Sequence, residues 1–180
     1  MPRKNTRRRY ERSQVFHIYN RGVAKQCTFR DINDFHYFLE LLTEHTRTHD
    51  LSVLAFCLMT NHFHLILYSY EPERISNFMH DVLMEYVGCF NKRHARIGAL
   101  FDHNFRAVAV TTDAQLSVLT RYIHRNPKST SIGVRNYPWS SLRYYLGKTA
   151  PEWLNVEMGL AGVSREQYHA LMFESEFGAA

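Results

Sequence analysis

The spacing of apolar residues changes along the chain, and these changes predict alternating strands and helices. Period-two alternation predicts strands over residues 14–20 and 104–111, and a continuous apolar run predicts a strand buried on both faces over residues 53–59. A Thr60-Asn61 turn and the segment 62–69 complete a predicted hairpin with that buried strand. Helical spacing predicts helices over residues 31–48 and 75–90, and a third helix that Pro127 ends.

Finer expectations concern where helices begin and how the chain is divided. Asp31 and Asp113 are expected to cap the first and third helices, and Pro138-Trp139 is expected to open a short aromatic helix. The chain has 180 residues, which predicts one folded domain over residues 14–150, with a basic arm over residues 1–13 and an extension over residues 151–180. The pattern of the extension is uninformative.

The order of the predicted elements indicates the fold class. Strand, helix, two strands, helix, strand and helix follow one another, which predicts an α+β fold. In that fold an antiparallel-rich central sheet is backed by helices, as an α/β sandwich. No internal repeat or low-complexity segment interrupts this order.

Composition excludes several classes of protein. Hydrophobic residues make up 45% of the chain and charged residues 22%, as in ordinary globular proteins, which excludes a fully disordered or collagen-like chain. The longest apolar run is far too short to span a membrane, so we expect no membrane partner. The N-terminus lacks the apolar region of a secretory signal, and Cys27, Cys57 and Cys89 are scattered. These features predict a cytoplasmic protein without a disulfide framework or a cysteine zinc site.

The formal net charge of +5 is concentrated at the N-terminus. Residues 1–12 carry the whole excess, with Glu11 as the acidic residue among Arg3, Lys4, Arg7, Arg8, Arg9 and Arg12. A second basic stretch without acidic residues lies between Asp113 and Glu152. Charge runs are often only solvated surface, but this segregation favours a polyanionic partner such as nucleic acid.

Two histidines stand close together on the second strand of the predicted hairpin. Because alternate residues of a strand share a face, His62 and His64 are expected to project side by side, opposite Phe63 and Leu65. Two adjacent imidazoles can bind a metal ion. An H-x-H pair by itself is also compatible with ordinary surface or core histidines.

A second group of polar residues lies at the end of the third predicted helix. Residues four apart share a helical face, so Tyr122 and Asn126 are expected to point together at the sheet. Asn126 offers a hard amide oxygen and Tyr122 a phenolic oxygen that can attack phosphorus. The alternatives are a helix-ending asparagine and a core tyrosine. His124 should lie off this face, in packing or facing nucleic acid.

Several motifs in order resemble one family, the REP-associated tyrosine transposases, relatives of the IS200-like single-tyrosine HUH transposases. The resemblance covers roughly residues 14–147 and rests on four segments and an opening motif. These are MTNHFHL at 59–65, LFDHNFRA at 100–107, YIHRNP at 122–127, YPWSS at 137–141 and HIYNRG at 17–22.

The resemblance implies a ferredoxin-like HUH palm and a specific chemistry. It implies that His62, His64 and Asn126 hold a divalent metal, Mg²⁺ or Mn²⁺, and that Tyr122 is the nucleophile. The implied activity is cleavage and rejoining of single-stranded DNA beside palindromic hairpins through a 5′-phosphotyrosine, without a nucleotide cofactor. The protein is expected to act as a monomer, with a dimer as the alternative. Because metal-bound imidazoles must be neutral, activity is expected to weaken below about pH 6.5.

Other residues are expected to hold the DNA. The arginines and lysine of residues 1–12 form an arm for phosphates, and further phosphate contacts are expected near the site from Arg106, Arg121, Arg125, Lys128 and Arg135. Phe101, Tyr137 and Trp139 are expected to stack on unpaired bases, with core packing as the alternative for Trp139. Two rival functions remain open from the sequence: a catalytically silent module that binds DNA or RNA hairpins, and a metal-dependent phosphoesterase that uses water.

Overall fold

Four antiparallel strands form one sheet in the computed structural model, which describes residues 14–173. The strands are β1 (Val15–Arg21), β2 (Ser52–Met59), β3 (His62–Tyr68) and β4 (Arg106–Val110), in the spatial order β2-β3-β1-β4. The prediction of an α+β fold with an antiparallel sheet is confirmed. Residues 1–13, which contain the basic arm, and residues 174–180 lie outside the described residues.

Seven helices surround this sheet in the described part of the chain. They are α1 (Ile32–His49), α2 (Glu73–Arg93), α3 (Asp113–His124), α4 (Gly133–Asn136), α5 (Leu142–Tyr145), α6 (Val156–Gly159) and α7 (Arg165–Phe173). Short 3₁₀ turns lie at Val23–Lys25 and Asn126–Ser129. No helix within residues 14–173 is long and apolar enough to cross a bilayer.

The two predicted helix caps have different outcomes in the structure. Asp31 caps α1 as predicted, and its side chain accepts from the backbone N–H groups of Asn33 and Asp34 in a capping box. The prediction that Asp113 caps α3 is wrong. Thr112 occupies the capping position with extended backbone and accepts from the N–H of Gln115, so Asp113 is the first helical residue.

The sheet separates two helical layers, because alternate side chains of β3 point to opposite faces. Phe63 is fully buried beneath α1, with its ring centroid 5.3 Å from that of Phe38. Phe38 in turn meets Tyr86 of α2 edge to face. α3 packs on the other face of the sheet, where Tyr122 approaches His64. The β3 histidines therefore face α3, away from the α1–α2 layer.

The outer edge of β2 is covered by residues from the C-terminal half of the chain. Leu58 donates its backbone N–H to Trp139 at 2.8 Å, and Ser141 donates to Phe56 at 2.9 Å. The prediction that Pro138-Trp139 opens a short helix is wrong, because residues 139–141 bond to β2 and the helix starts only at Leu142.

Residues beyond 150 join the same core. Val53 of β2 donates its backbone N–H to Trp153 and accepts from Asn155, at 3.1 and 2.9 Å. The buried apolar side chains of this segment are Leu154, Val156, Leu160, Tyr168 and Met172. The segment that gave no sequence signal therefore closes one side of the sheet and packs against α3.

Candidate active site

His62 and His64 project side by side from β3, as the strand alternation predicts. Their ring centroids lie 5.2 Å apart and the ring planes are nearly perpendicular, at 85°. Phe63 and Leu65, on the opposite face, are fully buried. His62 is half-buried and His64 is 8% exposed, so the pair lies at the bottom of an opening in the α3 layer.

The end of α3 brings Tyr122 and Asn126 to these histidines. The Asn126 Oδ1 atom lies 3.2 Å from Nε2 of His62. The Tyr122 ring meets the His64 ring edge to face, with centroids 5.8 Å apart, and 55% of the Tyr122 side chain is exposed. The end of α3 and the turn that follows it thus place the Tyr122 phenol and the Asn126 amide beside the two imidazoles of β3.

The two ring nitrogens of His62 each face an amide oxygen. Asn126 donates its Nδ2–H groups to the carbonyls of Tyr122 and Ile123, so its Oδ1 faces His62. The other ring nitrogen of His62 lies 2.7 Å from Oδ1 of Asn61. A neutral imidazole has only one N–H, so one of the two facing oxygens meets a lone pair. The 3.2 Å separation of Nε2 from Asn126 Oδ1 is close to the roughly 3.0 Å expected between adjacent ligands of an octahedral ion with bonds near 2.1 Å.

Protonation of these imidazoles is disfavoured. Burial lowers the pKa of His62, and the nearby Arg21 guanidinium lowers it further, against a raising effect of the Asn126 contact. Burial also lowers the pKa of His64 to about 3, and the neighbouring His17 and His62 add to this shift. His64 therefore stays neutral well below pH 6.5, and the lowered pKa of His62 acts in the same direction, so acid should weaken metal binding at a lower pH than an ordinary histidine indicates.

His17 of β1 is a site residue that the sequence analysis missed. Its Nε2 lies 2.9 Å from Nδ1 of His64, and the two rings stack with centroids 5.1 Å apart. If His64 donates this hydrogen bond, its Nε2 keeps a lone pair for a ligand. The alternation of His17 and Tyr19 with buried Phe16 and Ile18 was visible in the sequence, but the pairing of β1 with β3 was not.

A cavity of about 380 Å³ opens in front of these groups. Buried Asn20 donates to the carbonyls of His103 and Asn104, both at 2.8 Å, and so ties the loop before β4 to the site. The lining residues come from β1, β3, that loop, β4 and the end of α3: Tyr19, Asn20, Arg21, His62, His64, Asp102, His103, Arg106, Tyr122 and Asn126.

The basic residues proposed to hold DNA separate into different environments. Arg106 is exposed and lines the cavity. Arg121 and Lys128 line a neighbouring open groove of about 750 Å³ that shares Tyr122 and Asn126 with the cavity. Arg125 also lines this groove, but its guanidinium donates to the carbonyls of Leu171 and Met172 at the end of α7.

Arg135 on α4 does not line the cavity or the neighbouring groove. It is exposed and covers the ring of Phe173, with its guanidinium carbon 4.3 Å from the ring centroid. Residues Arg3 to Arg12 of the arm lie outside the described residues.

The expectation of base stacking by Phe101 and Tyr137 is wrong. Both rings are 7% exposed, and the Tyr137 hydroxyl donates to the Leu58 carbonyl at 2.8 Å. Trp139 stacks on Phe35, with ring centroids 4.5 Å apart, in agreement with the core-packing alternative. A buried ring has no free face for a base, and the sequence could not distinguish core aromatics from surface aromatics here.

His124 lies in the core, which settles its two alternatives in favour of packing. It is fully buried, with Nδ1 2.7 Å from the Tyr168 hydroxyl and Nε2 2.7 Å from the Ser141 hydroxyl. Burial lowers the pKa of His124 to about 3. Both of its ring nitrogens are used inside the fold, so it has no capacity to bind a ligand.

Comparisons with known proteins give matches to one family and to one fold. A family model described as "Transposase IS200 like" matches residues 13–126. Among solved structures, the fold is similar to that of a REP-associated tyrosine transposase bound to a REP hairpin, with a TM-score of 0.58, 11% identity, and coverage of 81% of this chain and 90% of that chain. A search of curated proteins found no match.

Proposed function

The chain belongs to the IS200-like transposase family, and from this premise we propose that it cleaves and rejoins single-stranded DNA beside a palindromic hairpin. The family match confirms the resemblance that the sequence motifs indicated. In this proposal Tyr122 is the nucleophile, and His62, His64 and Asn126 are ligands of a divalent Mg²⁺ or Mn²⁺ ion.

One observation carries the proposal: the phenol of Tyr122 lies beside the imidazoles of His62 and His64 and the amide of Asn126 in one cavity. The Asn126 amide oxygen lies 3.2 Å from His62 Nε2, and the Tyr122 ring packs against His64. Tyr122 is also more than half exposed, so a polymeric substrate can reach its hydroxyl. A core tyrosine or a structural asparagine does not require this convergence.

The proposed step exchanges one phosphodiester for another. The Tyr122 phenolic oxygen forms a bond to the scissile phosphorus, and the bond from phosphorus to the 3′ oxygen breaks. The leaving oxygen takes up a proton and becomes a 3′-hydroxyl, while the phenolic proton passes to solvent. A phenolic hydroxyl that attacks phosphorus must lose its proton as the new bond forms. Because the bonds exchanged are alike, a DNA hydroxyl can reverse the step without ATP.

The residues around Tyr122 have separate roles in this step. A bound divalent ion supplies polarisation of the scissile phosphate and stabilises the charge that develops on it. His62 and His64 offer neutral nitrogens, since burial lowers the pKa of each. His17 orients His64 through its 2.9 Å hydrogen bond. Arg21 and Arg106 line the cavity and can neutralise the remaining phosphate charge.

The DNA partner is inferred from the groove beside the cavity. Arg121 and Lys128 line this groove together with Tyr122, so a strand that follows it arrives at the proposed nucleophile. The similar solved structure is bound to a REP hairpin, which supports the same class of substrate for this chain. The arm of residues 1–12 is proposed to add phosphate contacts, with a contribution that falls as salt rises.

A single copy of the chain is proposed to be sufficient for cleavage. The phenol, both imidazoles and the amide all come from one protomer, and Tyr122 already contacts His64 of its own chain. This arrangement supports a monomeric enzyme, because no group of the proposed set has to be supplied by a partner.

The proposal is tested with hairpin oligonucleotides taken from repeats of the host genome and labelled on the strand 3′ of the hairpin. We expect Mn²⁺-dependent cleavage and a labelled protein band on denaturing gels. Binding without cleavage would instead support the silent hairpin-binding module. Cleavage without a covalent band would support the phosphoesterase that uses water.

A further inference from the structure

A second cluster of histidines and carboxylates lies on the other side of the sheet, between α1 and α2. His45 Nε2 is 3.0 Å from Oε1 of Glu85, and His49 Nε2 is 2.8 Å from Oδ2 of Asp81. The histidines are four residues apart on α1, and the carboxylates are four residues apart on α2. Each pair therefore occupies one helical face, and the two faces meet.

These side chains are close enough to share one ion. Ligand atoms of His45, His49 and Asp81 all lie within 4.8 Å of one another. Adjacent ligands of a tetrahedral zinc ion are about 3.3 Å apart, given bonds of 2.0–2.1 Å. The separations therefore exceed that spacing by at most about 1.5 Å, so binding requires rotation of the side chains.

His45 has binding capacity that the fold leaves unused. Its side chain is buried, and its Nδ1 atom has no hydrogen-bond partner among the described residues. Glu85 meets the other ring nitrogen, and a carboxylate in that position commonly orients a metal-binding histidine. Glu85 is half exposed and Asp81 is 41% exposed, so an ion can enter from solvent.

We propose that His45, His49 and Asp81 form a second divalent-cation site, with Glu85 orienting His45. Two imidazoles and a carboxylate favour a borderline ion of the Zn²⁺ class over Mg²⁺, which prefers oxygen ligands. A bound ion would join α1 to α2 on the face of the sheet that Tyr122 does not reach. The inference does not depend on the proposed DNA chemistry, since it uses none of the same residues.

The test measures thermal unfolding of the full-length chain with and without Zn²⁺. A His62→Ala background removes one ligand of the cavity site and so reduces the contribution of that site to any effect of Zn²⁺. At Zn²⁺ about 100-fold above its dissociation constant, we expect Tm to rise by roughly 5–10 °C. His49→Gln and Asp81→Asn in that background should abolish most of this rise.

His80→Gln is the matched control, because His80 is an exposed histidine beside Asp81 on the same helix. It should keep the full Zn²⁺-dependent rise. Co²⁺ titration should give one equivalent of intense visible absorption in the His62→Ala background and none after His49→Gln. Two ordinary interhelical hydrogen-bonded pairs would produce neither signal, and either a missing rise or an equal rise in His49→Gln and His80→Gln would overturn the proposal.

Discussion

The two sides of α3 carry similar functional groups in opposite environments. On one side Tyr122 is 55% exposed and Asn126 faces His62 across 3.2 Å. On the other side His124 is fully buried, and both of its ring nitrogens are bonded to Tyr168 and Ser141. The comparison shows that residue type alone does not make a site. The open side keeps lone pairs and a hydroxyl available to a ligand, whereas on the packed side both ring nitrogens of His124 hold the fold together.

His64 on the open side and His124 on the packed side differ in the same way. His64 uses Nδ1 on His17, and its Nε2 makes no hydrogen bond within residues 14–173. His124 has no such free nitrogen. Burial lowers the pKa of both rings to about 3, so both are neutral and only their unused nitrogens differ.

The largest expected effect comes from removing the phenol on the open side. Tyr122→Phe should abolish the covalent DNA adduct and lower strand cleavage by at least about 10³-fold, because the substitution removes the oxygen of the proposed nucleophile. Hairpin affinity and Tm should change little, since Tyr122 is 55% exposed and its ring is retained. Cleavage is followed on denaturing gels, and affinity by fluorescence anisotropy.

Tyr70→Phe is the control for this change, because Tyr70 is 75% exposed and outside the cavity. It should keep full cleavage. A persistent adduct in Tyr122→Phe would remove Tyr122 from its assigned role.

The next effect concerns the packed side of α3. His124→Ala should lower the free energy of unfolding by about 3–5 kcal/mol, because it leaves a cavity in the core and removes one buried hydrogen bond each from Tyr168 and Ser141. Urea denaturation measures this loss, and the folded fraction should still form the adduct. The exposed His80 gives the control, and His80→Ala should cost less than about 0.5 kcal/mol. Equal losses in the two variants would show that His124 does not hold the core.

Acid should lower the stability of the fold through the buried His124. His124 has a folded pKa of about 3 against an ordinary 6.5, so the unfolded chain binds a proton that the folded chain excludes. Its stabilising contribution is complete above pH 6.5 and falls by about 1.4 kcal/mol per unit as pH drops from 6.5 towards 3. His17 and His64 act with the same sign, since burial lowers the pKa of each.

Urea denaturation between pH 7 and pH 4.5 measures this dependence. His124→Gln should be less stable at neutral pH, with a shallower loss in acid than the unsubstituted chain. Parallel curves for the two proteins would contradict the assignment of a buried neutral imidazole.

The smallest effect is expected from His17 of β1, which contacts His64 on the open side. His17→Gln should weaken Mn²⁺ binding by roughly 10-fold, because His64 loses the neighbour that orients its ring. Calorimetric titration of the full chain measures this affinity. His169→Gln, at an exposed histidine of α7, should leave it unchanged. Unaltered Mn²⁺ affinity in His17→Gln would limit His17 to packing.

The sequence predicted the elements whose signals are local. The hairpin of β2 and β3 follows from a continuous apolar run, a turn and a returning strand, and the placement of His62 beside His64 follows from strand alternation. Tyr122 and Asn126 were expected together because helical spacing places residues four apart on one face. These relations need no knowledge of which elements meet.

The features that were missed depend on contacts between distant segments. His17 reaches His64 only because β1 lies beside β3 in the sheet order, which a single sequence does not state. The helix predicted to begin at Pro138-Trp139 is absent there because residues 139–141 form hydrogen bonds to the edge of β2. Phe101 and Tyr137 were misassigned for the same reason, since their burial is decided by tertiary packing and not by local pattern.

The most direct measurement identifies the residue that carries DNA. The full-length protein is incubated with hairpin DNA and Mn²⁺, digested with nuclease and trypsin, and analysed by mass spectrometry. The account predicts a 5′-phosphodeoxynucleotide on the tryptic peptide of residues 122–125, attached to Tyr122. Cleaved DNA with the nucleotide on another residue, or with no modified peptide, would contradict it.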